Sequence, residues 1–383
     1  MEYLVAFLEG YSPRESGTDE ERAAANFLRD EMTELGYQAD LQELTVQQFS
    51  RAIPALTLVT PGVMLEQREV RALPMSNSGE GNVAGPVIFV KKAFQEDIPE
   101  TGLAGSVALI ERGQITFQEK VTRAAEAGAI GAIVFNNVPG GFGGILTDTG
   151  PIPVVAITRE DGLDLQEALD FLQIGDEIIA SVFVEIETRT SQNVIAERPG
   201  GGGEGVVIIG AHYDTVPDTQ AANDNSTGVT SLVLMAKELQ DKEFPFRIRF
   251  VFFGVEEIGL YGSMHYVDNL TEAERSEIIA MLNFDSTGTG EAAMLGDLSL
   301  VEMAVKYSNA NGLFIKTSPG LGGGGSDHAS FQAAEIPALF LFGDDLSRIN
   351  STRDTLEFVN PDIMGRQMVL GLGVLDMLAQ SQE

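Results

Sequence analysis

The sequence predicts an α/β protein: a doubly wound, mostly parallel sheet interrupted by a β-rich inserted module. Three observations predict it. After about residue 188, continuous apolar runs of strand length alternate with amphipathic helical stretches, the pattern of strands covered on both faces. Polar residues of ligand type stand just past the ends of three of those runs, the edge where open α/β sheets bind their ligands. Between residues 51 and 187 the texture changes to short β-rich runs separated by turn signals, without a single histidine.

Taken in chain order, Thr18 and Glu21 form a capping box for a helix from about Asp19 to Leu35. Ala23, Ala24, Phe27, Leu28, Met32 and Leu35 make its apolar stripe, and Gly36 stops it. A strand from Gln38 to Val46 follows. In the middle segment the runs Val87–Val90, Val107–Ile110, Ile130–Phe135, Val154–Ile157 and Ser181–Ile186 read as strands. One helix lies among them, capped by Thr116 and Glu119, with Val121, Ala124 and Ala125 facing inward and Gly128 at its end. No nucleophile, base or metal-ligand cluster occurs there, which predicts a non-catalytic module. From Asn193 onward the strands are Val206–Ala211, Arg247–Phe253, Ile279–Phe284 and Pro337–Phe342, with a helix over Gly228–Leu239. The glycine runs Gly200–Gly203 and Gly322–Gly325 read as flexible loops. The expected organisation is one domain from residues 1–50 and 188–383, with residues 51–187 inserted.

Composition narrows the function classes. The 383 residues carry 24 Lys plus Arg against 57 Asp plus Glu, a net charge of −33. A surface so negative repels phosphate backbones, so nucleic acid is not an expected partner. No apolar run approaches the ~18 residues needed to span a bilayer, so no membrane span is expected and the chain reads as soluble. Cysteine is absent, which removes a thiol nucleophile, a thiolate metal site and any disulfide framework. The N-terminus, Met-Glu-Tyr-Leu-Val, has no basic segment followed by an apolar stretch, so no signal peptide is expected in this chain. No feature specifies an oligomeric state.

The chemistry gathers at the strand ends. His212 and Asp214 follow the first apolar strand, Glu256 and Glu257 the second, and Asp285 the third, while Asn223-Asp224-Asn225 opens a helix. An acidic pair after a strand is usually a solvated loop; three such groups at one edge point to a metal site. Imidazole and carboxylate ligands together fit zinc. A metal lowers the pKa of its water, and an adjacent free carboxylate takes the proton; Glu256 and Glu257 can divide the duties of base and ligand. Asp214, two residues beyond His212, is placed to hold the second ring nitrogen. Asp224 can bridge if it sits between two ions.

These motifs, with Gly259, Gly262 and Ser263 after the glutamate pair, Asn283-Phe284-Asp285 and Ser326-Asp327-His328, resemble the M28 metallopeptidases, co-catalytic two-zinc aminopeptidases and their relatives. The inserted segment is similar to a protease-associated (PA) domain through Gly105–Gly113, Phe117, Lys120, Ala124, Ala127-Gly128-Ala129 and Asn136-Asn137. The resemblance implies a zinc-exopeptidase fold with an inserted PA domain, and an exported aminopeptidase acting on peptides with a free N-terminus. It implies that His212 and Asp285 bind one zinc, that Asp224 bridges, and that Glu257 binds the second. Glu256 would be the general base and Asp214 the support of His212. The Asp224–Asn225 peptide is expected to be cis.

The chain departs from that pattern in the late motif. The second zinc of the family also takes a histidine in a late His-Thr/Ser-x-x-Asp-Thr motif, and the matching stretch is Asn350-Ser351-Thr352-Arg353-Asp354-Thr355. Ile349 stands where many relatives have tyrosine. Asparagine offers only a neutral carbonyl oxygen, a poorer ligand than imidazole, so the second ion is expected to bind weakly or not at all. Only two other histidines exist: His265 on a helix after Gly262, and His328 in the Ser-Asp-His motif. The alternative reading is an impaired or non-catalytic peptidase-like binding protein. A glutaminyl cyclase fits poorly, since the late histidine and all tryptophans are absent; a carboxypeptidase would need an arginine patch, for which Arg348 and Arg353 are the nearest residues.

Overall fold

The computed structural model describes residues 1–52, 55–60, 66–173, 176–198, 205–320 and 325–382. Residues 200–203 and 322–324 of the two glycine runs lie outside the described residues. The chain divides into two compact units, Met1–Thr45 with Thr190–Glu383, and Val46–Arg189.

The first unit is a sheet with helices on both faces. Its strand order is Lys316–Thr317, Ala292–Gly296, Ala338–Gly343, Ile278–Phe284, Val206–His212, Arg247–Phe253, then Val194–Glu197 at the other edge. The four strands from Ala338–Gly343 to Arg247–Phe253 are parallel, while Ala292–Gly296 and Val194–Glu197 run antiparallel. The unbroken apolar runs follow from this layering. In Val206–His212, Val207, Ile209 and Ala211 enter a core with Leu232, Phe250, Phe252 and Leu370, whereas Val206 and Ile208 enter another with Tyr266, Phe331 and Ile336. Helices Glu2–Tyr11, Asp19–Glu34, Ser226–Leu239, Leu298–Asn311 and Pro361–Ser381 cover the first face; Tyr261–Asp268 and His328–Ala333 cover the second.

From Val206–His212 the chain steps to Arg247–Phe253 on one side, then crosses to Ile278–Phe284 on the other. Order therefore reverses between Val206–His212 and Ile278–Phe284, and the crevice beyond their C-terminal ends is the natural ligand position of such a sheet.

The second unit has a parallel set, Gly81–Phe89, Val107–Glu111, Gly131–Phe135 and Val154–Ile157. Leu73–Pro74 pairs antiparallel with the last, and Ile179–Val184 antiparallel with Gly81–Pro86. Thr116 and Glu119 complete their capping box at helix Phe117–Glu126. A second helix, Arg159–Asp170, was not predicted. Its stripe is sparse, with only Gly162 and Leu165 buried, too little periodicity to read. Helices Glu2–Tyr11, Leu298–Asn311 and Pro361–Ser381 likewise go beyond the sequence expectation.

Helix Asp19–Glu34 shows a second difference. Thr18 Oγ1 accepts the Glu21 N–H at 3.2 Å, but Glu21 does not return the bond to Thr18. Its carboxyl instead accepts the Gly17 N–H at 2.6 Å and the Ser191 hydroxyl at 2.5 Å. Tertiary packing has taken over the cap. Ala23 is exposed and Ala25 buried in its place, so the stripe is rotated toward the Glu21 side. Among the described residues, no helix is long and apolar enough to cross a membrane.

Two predictions follow from this packing. A Cβ on Gly262 would lie 2.0 Å from the Gly254 carbonyl oxygen and 2.6 Å from Asn193 Oδ1, both fixed atoms, so Gly262→Ala should cost about 1–3 kcal/mol in urea unfolding. Glu21 is fully buried, and burial first, then the charge of Asp214, pushes its pKa up to about 8. The folded value lies above the unfolded one, so this group's contribution is fully present below pH ~4.3 and is lost as pH rises toward 8. Glu21→Gln should therefore gain stability relative to the wild type between pH 5 and 8, by up to ~1.4 kcal/mol per pH unit; a constant difference across that window would contradict it.

Candidate metal centre

His212 is the last residue of its strand, and its ring is buried. Its Nδ1 faces two acceptors of Asp214, the backbone oxygen at 3.2 Å and carboxylate Oδ1 at 3.5 Å. Two acceptors at one nitrogen place a proton on Nδ1, which leaves Nε2 as the ring atom turned into the crevice. There it lies 3.0 Å from Asp224 Oδ1, 3.4 Å from Asp285 Oδ1 and 4.0 Å from Glu256 Oε2.

Asp214 does more than face the imidazole. Its Oδ1 accepts the Glu256 N–H at 3.1 Å, and its Oδ2 accepts the Glu257 N–H at 3.2 Å and the Ser16 hydroxyl at 2.8 Å. One carboxylate thus ties the end of the first strand to the turn after the second. Asp285 follows the third strand, with its Oδ1 accepting from Ser286 Oγ at 3.1 Å. Asp224 precedes helix Ser226–Leu239, and its peptide bond to Asn225 is cis. Asn225 caps that helix through Gly228 N–H and donates to the Phe284 carbonyl at 2.9 Å, which joins the Asp224 turn to the strand that presents Asp285.

Ligand atoms of His212, Asp224 and Glu257 lie within 4.8 Å of one another, as do those of His212, Glu256 and Asp285. All are buried or nearly so. Burial pushes Glu256 and Glu257 well above the usual carboxylate range, and Asp224 rises to about 7 through burial and the charge of Asp285. Burial works against charge on His212 too, but Glu256 and Asp285 outweigh it and raise the ring's pKa. Such crowding of carboxylates around one imidazole needs compensating positive charge, and the oxygen and nitrogen donors are those zinc accepts. The residues fit the ion.

Position 350 also lies at the cluster. The Asn350 amide, with its nitrogen toward Glu257, donates to both carboxylate oxygens at 2.8 and 3.1 Å. Its φ of +57° is left-handed, a conformation asparagine tolerates. The other histidines do not join in. His328 is buried with its ring stacked on Phe340 at 4.5 Å, and burial pushes its pKa down to about 4. His265 contacts Asn269 one turn along its own helix. Arg348 is engaged by Asp345 at 2.7 Å and lies over the Phe358 ring at 4.2 Å.

Three contributors escaped the sequence reading. Asp354 accepts the backbone N–H groups of Asn223 and Asp224, both at 2.8 Å. It belongs to the late motif, which was the available signal. Ser16 and Arg14 carried none: each acts on a residue about 200 positions away.

Comparison with known proteins agrees with this architecture. The model of peptidase family M28 matches residues 193–370, and the PA domain model matches residues 79–165. Leucine aminopeptidase 2 of Trichophyton equinum is 31% identical over 362 residues, 89% of this chain and 71% of the relative. The probable leucine aminopeptidase 2 of Aspergillus fumigatus is 33% identical over 279 residues, 70% of this chain and 53% of the relative. Among solved structures, a zinc aminopeptidase from Bacillus subtilis superposes with a TM-score of 0.84 at 26% identity, covering 98% of this chain and 94% of that one. With its sheet, its inserted PA domain and these relatives, the chain belongs to peptidase family M28.

Proposed function

We propose that the protein is a zinc-dependent aminopeptidase that releases N-terminal residues from peptides. The observation that carries this reading is the set of buried carboxylates around His212 Nε2, with Asp224 at 3.0 Å and Asp285 at 3.4 Å. These three residues would hold one ion, with Asp224 shared toward Glu257. When bound, zinc acidifies its water and polarises the scissile carbonyl. Glu256, whose buried carboxyl has a raised proton affinity, takes a proton from the attacking water and delivers it to the departing amine. Asp214 holds the His212 ring by Nδ1 so that Nε2 points to the site, and fixes the backbone that carries Glu256 and Glu257.

The second ion is the weaker one in this proposal. Asn350, whose amide lies against the Glu257 carboxylate, could offer the ion only a neutral carbonyl oxygen, a poorer ligand than imidazole. The same contact favours the second reading, an impaired peptidase-like protein whose Glu257 is tied up by Asn350.

The names of the relatives make a leucyl anilide the first substrate to assay. Glu256→Gln should lower kcat about 10²–10⁴-fold while zinc content stays that of the wild type; an active variant would remove Glu256 from the base role. Metal analysis after dialysis should find about one tightly held zinc per chain, and Asn350→His should raise both the zinc content and the rate. Two tightly held ions in the wild type would contradict the weak second site. No hydrolysis by either form with zinc or cobalt added would favour the binding-protein reading.

A further inference from the structure

The centre described above is carried by residues after 200, yet one of its hydrogen bonds comes from the N-terminal segment. The Ser16 hydroxyl donates to Asp214 Oδ2 at 2.8 Å, and both residues are buried. The segment is fixed there by several independent contacts. Arg14 is fully buried: its Nε donates to the Tyr213 carbonyl at 2.5 Å and its Nη2 to Ser226 Oγ at 3.0 Å, with the guanidinium over the Phe7 ring. Its backbone N–H donates to Thr215 Oγ1 at 2.9 Å, while the Thr215 N–H donates back to the Arg14 carbonyl at 3.0 Å. On the far side of Ser16, Glu21 ties the Gly17 N–H to Ser191. The segment therefore brackets the turn Tyr213–Thr215, and Ser16 is presented to Asp214 from a fixed backbone.

We propose that Ser16 is a positioning residue of the zinc centre, acting through Asp214 on His212, Glu256 and Glu257; the inference rests on the zinc-aminopeptidase reading. Asp214 Oδ2 accepts from the Ser16 hydroxyl and the Glu257 N–H, and Oδ1 accepts from the Glu256 N–H while facing His212 Nδ1. A carboxylate held from Ser16 on one side and the glutamate turn on the other cannot rotate away from the imidazole. Without the Ser16 hydroxyl, Oδ2 keeps only the longer bond from Glu257 and Oδ1 that from Glu256, so the carboxylate is held from the glutamate turn alone and its alignment on the imidazole loosens.

The test is a cycle of Ser16→Ala, Asp214→Asn and the double variant, read by zinc affinity in competition with a chromogenic chelator and by leucyl-anilide kinetics at saturating zinc. Ser16→Ala should weaken zinc binding severalfold, up to about 10-fold, and less than Asp214→Asn, which removes the direct outer partner of His212 and should cost about 10–100-fold. Ser16→Ala should also lower kcat with KM held within about twofold, and leave the zinc-free protein folded, with a urea unfolding midpoint lowered modestly by the loss of a buried hydrogen bond. In the Asp214→Asn background the same change should have little further effect on zinc affinity, because the two residues act as one unit. Wild-type affinity and kcat in Ser16→Ala overturn the inference, as does a full, additive loss in the double variant. Absence of zinc binding and hydrolysis in the wild type overturns the zinc reading as well, so the two failures are distinguishable.

Discussion

The buried carboxylate of Asp214 is the constraint on which the site depends. An unpaired charge at that depth is costly, and the chain meets the cost by aiming donors at it from three separate segments. Ser16 comes from the segment before helix Asp19–Glu34, the Glu256 and Glu257 N–H groups from the turn after strand Arg247–Phe253, and His212 from the end of the neighbouring strand. Satisfying one buried charge thereby fixes the orientation of the imidazole and the backbone of both glutamates. The crevice chemistry is a consequence of that arrangement.

The sheet supplies the other half of the geometry. Because Val206–His212 and Ile278–Phe284 pair in parallel at the point where strand order reverses, His212 and Asp285 emerge side by side at the same edge. Asn225 then links the Asp224 turn to the Phe284 carbonyl, and Asp354 clamps that turn from the opposite side through two backbone N–H groups. Each acidic residue of the candidate site is carried on a segment that hydrogen bonds to the segment of another. Such rigid support suits a site that must hold like charges close together without a flexible loop to relieve them.

Much of this was legible in the sequence because both signals were local. The apolar runs Val206–Ala211 and Arg247–Phe253 declare strands buried on two faces, and the polar residues immediately after them declare the functional edge. What could not be read depended on long-range pairing. Glu21 looks like half of a capping box but spends its carboxyl on Gly17 and Ser191. Ser16 and Arg14 carry no periodicity or spacing that points to residues 213 and 214. Helix Arg159–Asp170 buries too few side chains to show a stripe. Asn350 is an intermediate case: the motif marked its place, while only the structure shows its amide resting on Glu257.

That contact joins a departure from the family pattern to the candidate site, since the Asn350 amide lies against the Glu257 carboxylate. On the proposed reading, His212 Nε2, turned into the crevice by the bonds of Nδ1 to Asp214, would anchor the metal. Anomalous diffraction at the zinc edge from zinc-soaked crystals tests it most directly. The account predicts a strong peak about 2.0–2.1 Å from His212 Nε2, among Asp224 and Asp285, with Asp214 still facing Nδ1. A zinc peak bound through other residues, or a His212 ring turned to ligate through Nδ1, would contradict it.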